Sequence, residues 1–205
     1  MKYGMLVDLD LCVGCGACVM ACKLENGTAL DIHWCHVLFK EVGKYPNAKM
    51  KVMSLSCMHC ENAPCVNVCP TGATYYDGEG NVLVDLNKCI GCRSCLAACP
   101  YNIPDICSVA QKDNPYWEGH EMTPLEKIIC QDHVVGTKEK CDRCQDRLAE
   151  GRNVACAEAC PTKSRVFGDL DDPNSDVAKQ ILEKNAQPLL GHLKTKPTVY
   201  YVGKF

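Results

Sequence analysis

Large aromatic side chains are scarce in this chain: 3 Phe and 2 Trp among 205 residues leave little bulk to fill an ordinary core. Long apolar runs are also missing. No stretch reaches the roughly eighteen apolar residues that mark a membrane-crossing helix. Met1-Lys2-Tyr3-Gly4 runs into a strand-like segment instead of the apolar core of a signal peptide. The expectation is a chain with no direct membrane span and no export signal of its own. There is no excess of positive charge either. With a formal net charge of -3 and Lys and Arg scattered among acids, the basic stripe of a nucleic-acid-binding surface is excluded. No GxSxG, HExxH, Walker A loop or complete GxGxxG is present, so the sequence offers no catalytic site.

Cysteine is what the chain has in abundance. Nineteen of 205 residues are Cys, a level at which cysteine chemistry dictates architecture through disulfides or through metal. Disulfides fit poorly, because most of these cysteines sit two or three residues apart and their number is odd. Sixteen fall into four groups of four. Group one is Cys12, Cys15, Cys18 and Cys22, and group three is Cys89, Cys92, Cys95 and Cys99, both spaced C-x2-C-x2-C-x3-C. That is the run found in bacterial ferredoxins. Group two is Cys57, Cys60, Cys65 and Cys69, and group four is Cys141, Cys144, Cys156 and Cys160. Groups two, three and four are each followed by proline (Pro70, Pro100, Pro161), which stops a helix and reverses the path of the backbone. Sixteen thiolates make four sites of four, the content of four 4Fe-4S clusters. In such runs three thiolates from one tight turn hold one cubane and the fourth serves its neighbour. Zinc competes for any isolated C-x2-C pair, as does a redox dithiol, but neither accounts for four complete groups.

The groups belong to a duplication. Residues 6–22 (LVDLDLCVGCGACVMAC) align without gaps to residues 83–99 (LVDLNKCIGCRSCLAAC), with ten of seventeen positions identical. A second pair, from Ser56 and from Lys140, differs by seven extra residues between the second and third Cys. Alternation of Met5, Val7 and Leu9 predicts a strand before group one, and Val82, Val84 and Leu86 predict one before group three. The latter forms a hairpin with Thr74–Tyr76 through Asp77-Gly78-Glu79-Gly80. A helix is predicted over Val19–Glu25, closed by Asn26-Gly27, and another after the cap Ser175-Asp176, carrying Val177, Ile181 and Leu182. A last strand is expected at Thr198–Val202. The stretch from Pro100 to Lys140 lies outside the repeat and reads as an irregular insertion, of a length that suits docking.

Three cysteines are left over, Cys35, Cys107 and Cys130, and read as small buried hydrophobes. His33 and His36 read as ordinary histidines; His59 lies between two candidate ligands but is not needed as one. Lys88, Arg93, Arg143, Lys163 and Arg165 lie near ligands in sequence, where they offset cluster charge or simply occupy the surface.

The four groups, with C-x2-C-x4-C-x3-CP as the second and C-x2-C-x11-C-x3-CP as the fourth, resemble the four-cluster ferredoxin-like subunit of dimethyl sulfoxide reductase family molybdopterin oxidoreductases. The start of the chain, CMHCENAPCVNVCPTGA and FGDLDDPNS look most like the beta subunits of polysulfide, thiosulfate and arsenate reductases. The resemblance implies an α+β fold of two ferredoxin-like modules related by duplication, with the long insertion and a C-terminal helix-strand extension. Residues 1–48 and 141–170 would form the two halves of module one, 49–106 module two, 107–140 the insertion and 171–205 the extension.

It further implies crossed ligation. Cluster 1 would take Cys12, Cys15, Cys18 and Cys160, and cluster 2 would take Cys22, Cys141, Cys144 and Cys156. Cluster 3 would take Cys57, Cys60, Cys65 and Cys99, and cluster 4 would take Cys69, Cys89, Cys92 and Cys95. The implied role is a non-catalytic electron relay between a large Mo- or W-pterin catalytic subunit and a membrane quinol subunit or soluble carrier. An exported partner would carry it to the outer face of the membrane, with a cytoplasmic complex as the second possibility. A free-standing polyferredoxin is the alternative role; the insertion and C-terminal tail exceed what cluster binding alone requires.

Overall fold

The computed structural model describes residues 1–28, 32–106, 123–124 and 133–205. Its elements are short, as expected where tight cysteine turns recur, and the mixture of helix and strand is α+β. The main sheet has four strands in the order β8-β1-β10-β9: β1 Tyr3–Asp8, β8 Arg165–Asp169, β9 Gln187–Pro188 and β10 Val199–Val202. β1 pairs antiparallel with β8 (Met5 opposite Phe167) and parallel with β10 (Met5 opposite Val199).

The period-two reading located this strand but saw only one of its buried faces. Met5 and Val7 face the main core, whereas Leu6 turns the other way and is fully buried against Val177 and Ala186. The cover on that second face is helix α6, Asp176–Glu183, whose first turn is capped by the Ser175 hydroxyl accepting the Ala178 N–H at 3.3 Å. Val177 and Ile181 point into this cluster and Leu182 into solvent.

Three two-stranded sheets complete the set among the described residues. β4 Thr74–Tyr76 and β5 Val82–Val84 form the hairpin expected from sequence. Its turn is braced by Asp77 Oδ1, which accepts the N–H groups of Glu79 and Asn81 at 2.9 and 2.7 Å. β2 Cys35–Val42 and β3 Lys49–Ser56 form a longer hairpin that the hydrophobic pattern did not announce, because its outer half is exposed and carries Lys and Glu. The division placed at 48/49 from sequence falls in the turn of this hairpin. β6 Asp105–Ile106 and β7 Lys138–Glu139 close the base of the insertion. Most of the insertion, including Cys107 and Cys130, lies outside the described residues.

Two polar links hold the pieces together. Helices α1 Ala17–Asn26, α4 Gln145–Ala149 and α5 Ala155–Glu158 are joined by Arg147, whose guanidinium meets Glu25 at 2.8 Å and also Glu158. His133 sits between the Gly27 carbonyl at 2.7 Å and Glu139 Oε1 at 2.6 Å. The hydrogen bond to Glu139 raises its pKa, which favours the doubly protonated ring that can donate to both acceptors.

Candidate metal centres

Each cysteine group opens with the same backbone device. The residue immediately before the second Cys has positive φ in all four groups: Gly14 at 70°, His59 at 41°, Gly91 at 67° and Arg143 at 66°. The left-handed turn curls the chain so that successive thiols converge. In groups one and three a second left-handed residue, Gly16 or Arg93, precedes the helix that carries the third thiol: Cys18 on α1, or Cys95 on α3 Ser94–Ala98. A Cβ at Gly91 would run into the Gly136 carbonyl, whereas one at Gly16 meets nothing within 4 Å. Gly16→Ala should therefore cost only the left-handed backbone penalty of roughly 1–2 kcal/mol. Gly91→Ala should lower the melting temperature of the loaded protein clearly further, and equal losses would mean that the Gly136 contact is irrelevant.

Helix packing gathers the thiols. Helix α1 lies on α5, and α3 lies on α2 Pro64–Asn67. Three small cavities result. One is lined by Cys12, Cys15, Cys18 and Cys160. The second is lined by Cys57, Cys60, Cys65 and Cys99, and the third by Cys69, Cys89, Cys92 and Cys95. The remaining four thiols sense one another: burial pushes Cys22 up, reinforced by Cys156 and Cys144, and Cys141 is pushed up by burial and then by Cys22 and Cys156. Each cavity thus combines three cysteines of one group with one from another. Every described cysteine is free.

The surroundings suit a thiolate-bound cluster. Backbone N–H groups point at sulfur: Thr74 to Cys69 at 3.5 Å, Lys138 to Cys89 at 3.4 Å and Arg143 to Cys141 at 3.4 Å. Ser164 Oγ lies 3.2 Å from Cys160 Sγ, and Ser54 Oγ lies 3.5 Å from Cys18 Sγ. Burial holds the Cys60 and Cys144 thiols at about 12, so ionising them in place needs a cationic centre such as iron. At Cys69 burial opposes ionisation too, but the Thr74 N–H and Thr71 hydroxyl bring it down to about 7. The chemistry of the donors therefore fits iron-sulfur clusters.

The other candidates separate cleanly. Lys88, Arg93 and Lys163 are exposed, whereas Arg143 and Arg165 are buried. Two buried lysines, Lys138 and Lys140, were missed because they precede group four, in what reads as insertion. His59 is buried and neutral: burial, then Arg143 and Lys140, press its pKa well down, and its Nδ1 accepts the Val82 N–H at 3.2 Å. The rings of His33 and His36 lie tilted to each other, 6.2 Å between centroids. Cys35 is buried but lines none of the three cavities; Arg165 reaches its sulfur at 3.4 Å.

Comparison with known proteins agrees with this chemistry. A 4Fe-4S dicluster domain model matches residues 48–114 and again 106–170, and a second 4Fe-4S dicluster model matches 11–73. The arsenate respiratory reductase iron-sulfur subunit of Shewanella sp. (strain ANA-3) is 38 % identical over 230 residues, covering 100 % of this chain and 97 % of its own length. This protein belongs to the iron-sulfur subunits of the dimethyl sulfoxide reductase family. The putative dimethyl sulfoxide reductase iron-sulfur subunit of Halobacterium salinarum is 38 % identical over 215 residues, covering 98 % of the present iron-sulfur subunit and 79 % of the relative. The matching polypeptide of polysulfide reductase from Wolinella succinogenes is 35 % identical over 204 residues, covering 98 % and 94 %. As a family member, this iron-sulfur subunit transfers electrons and is not the catalytic subunit. Two dicluster domains give it four 4Fe-4S clusters.

Proposed function

We propose that the clusters are held by the crossed sets of cysteines, in two ferredoxin-like modules that arose by duplication, and that they form a single row. The observation that carries this reading is the composition of the cavities, each combining three thiols of one group with one thiol of another. Cluster 1 takes Cys12, Cys15, Cys18 and Cys160; cluster 2 takes Cys22, Cys141, Cys144 and Cys156. Cluster 3 takes Cys57, Cys60, Cys65 and Cys99; cluster 4 takes Cys69, Cys89, Cys92 and Cys95. Cluster 2 neighbours cluster 3, since Cys57 bears on the Cys141 thiol. Both ends of the row reach the surface, through the exposed Cys15 and Cys92.

When bound, the clusters supply one-electron redox centres. The chain's own residues fix their spacing, exclude water from the inner pair and leave the outer pair within reach of partners. Those partners are a molybdopterin catalytic subunit at one end and a membrane quinol subunit or soluble carrier at the other, in anaerobic respiration. The reading is supported by relatives named as arsenate and polysulfide reductase components. No described helix is long and apolar enough to cross a membrane. We place the complex on the outer face of the membrane, carried there by an exported partner.

Anaerobically purified protein should contain about sixteen iron and sixteen acid-labile sulfide per chain, four of each per cubane. Stoichiometric zinc without sulfide would overturn the reading. Cell fractionation with and without the catalytic partner tests the location, since a carried chain must stay inside when its carrier is missing.

A further inference from the structure

We propose that Arg165, Arg143 and Lys138 stand one in each of the three gaps along the row and hold up the reduction potentials of the clusters on either side. The proposal rests on the cluster assignment just given.

The starting point is an imbalance of charge. Four cations are almost wholly buried: Lys138 at 1 % exposure, Arg165 at 3 %, Lys140 at 4 % and Arg143 at 5 %. Among the described residues none of them forms an ion pair with a carboxylate. Among the described residues Arg165 is bonded to Ser54, Ser56, Met5 Sδ and Cys35 Sγ, and its Nε finds no partner there. Arg143 bonds the Tyr3 carbonyl at 2.6 Å, Asn81 Oδ1 at 2.8 Å and Thr198 Oγ1. Lys138 Nζ bonds Thr74 Oγ1 at 3.2 Å, and Lys140 Nζ bonds the carbonyls of Val82 and Cys141. Neutral acceptors do not repay the desolvation of a buried charge, so a counter-charge is required. Cubanes with four thiolates, each carrying about -2 when oxidised, supply it.

Position assigns each cation to a gap. Arg165 lines the cluster 1 cavity and contacts Ser54, which lies 3.5 Å from Cys18 Sγ. Helix α5, which carries Cys156 of cluster 2, packs against β8, the strand that Arg165 opens. Arg143 follows Cys141 of cluster 2 by two residues. Through Thr198, which donates to the Met58 and His59 carbonyls at 3.2 and 3.0 Å, it is tied to the Cys57–Cys60 turn of cluster 3. Lys140, which also lines the cluster 3 cavity, reinforces that gap. Lys138 lines the cluster 4 cavity and stands two residues before Lys140, which lines the cluster 3 cavity, so this stretch runs from one cavity to the other.

Adding an electron makes a cluster more negative, so a fixed cation in a poorly screening interior stabilises the reduced form more than the oxidised one. It also offsets the repulsion that would keep two adjacent clusters from being reduced together. This gives the left-handed turn of group four a second use. Where groups one and three use Gly, group four accepts the strain of a non-Gly residue, and that residue, Arg143, reaches into the gap between clusters 2 and 3.

The test is an anaerobic redox titration, followed by electron paramagnetic resonance, of native protein and of Arg165→Gln and Lys138→Met. Arg165→Lys and Lys138→Arg serve as charge-keeping controls. Arg165→Gln should lower two of the four midpoint potentials by at least the 59 mV that equals a tenfold change in a one-electron equilibrium, leaving the other two in place. Lys138→Met should lower the complementary pair, and both charge-keeping variants should stay near native values. Should Arg165→Gln fail to assemble, Lys138→Met carries the same test in another gap. Full iron content with unmoved potentials, or equal shifts in charge-keeping and charge-removing variants, would overturn the proposal and leave the cluster assignment intact. Native protein lacking sixteen iron would instead strike at the assignment.

Discussion

Replacing Cys18 by Ser is expected to perturb the same paramagnetic signal as replacing Cys160, while Cys22→Ser matches Cys141→Ser. Cys18 and Cys22 are four residues apart, one turn of the same helix, yet the ferredoxin-like spacing already assigns them to different clusters. The cavity geometry separates them. Cys18 lines a space with Cys12, Cys15 and the distant Cys160, whereas Cys22 lies outside that lining and is influenced by Cys156 and Cys144. The effect is large, because a serine in place of a thiolate removes or converts a whole cluster. If Cys18→Ser and Cys22→Ser instead lose the same centre, with the other three intact, each cysteine group is a self-contained site and the crossed arrangement is wrong. Iron analysis on each variant separates loss of one cluster from collapse of the chain.

The second large effect is expected far from any thiol. Leu6 is 0 % exposed, on the central β1 strand, and fills the space between the sheet and α6 with Val177, Ala186, Leu170 and Ile181 around it. Leu6→Ala removes three methyl-sized groups from a site walled by strand and helix backbone, which leaves little room for collapse. The loss should be about 3 kcal/mol, within the range for buried leucines. For a chain of this length that corresponds to about 6–12 °C in melting temperature. Because Leu6 faces away from Met5 and Val7, iron content should stay at the native level. Leu182→Ala, on the same helix but 80 % exposed, should shift stability by no more than about 0.5 kcal/mol. Comparable losses at the two positions would mean that α6 is not the lid of a real second core.

Much of this molecule can be read from spacing. The four groups, the helix over Val19–Glu25, the hairpin around Asp77-Gly78 and the capped C-terminal helix all rest on local signals: ligand intervals, turn residues and a serine cap. What could not be read depends on tertiary neighbours. The β2–β3 hairpin alternates too weakly, because half of it stands in solvent. The burial of β1 on both faces depends on a helix some 170 residues later in the chain. Lys138 and Lys140 look like any solvated lysines in a charged stretch, and only the fold around them shows that they face thiols. A signal for Arg143 was available, since it occupies the position where groups one and three carry glycine.

The parallel pairing of β1 with β10 has a kinetic consequence. Met5 opposite Val199, and Val7 opposite Tyr201, join residues separated by almost the entire chain. Closing so large a loop is thermodynamically mild, since each doubling of length adds only about 0.6 kcal/mol. The search for the contact is nonetheless slow, because nothing local guides two short strands to a parallel register. The two-residue ladder of β6 with β7, the α1–α5 packing and the Arg147 links give such a chain earlier stages at which partial order can form. The central sheet, which ties the first strand to the last, should be the final piece to set, so newly made protein spends its longest waiting time with thiols already gathered but the sheet still open.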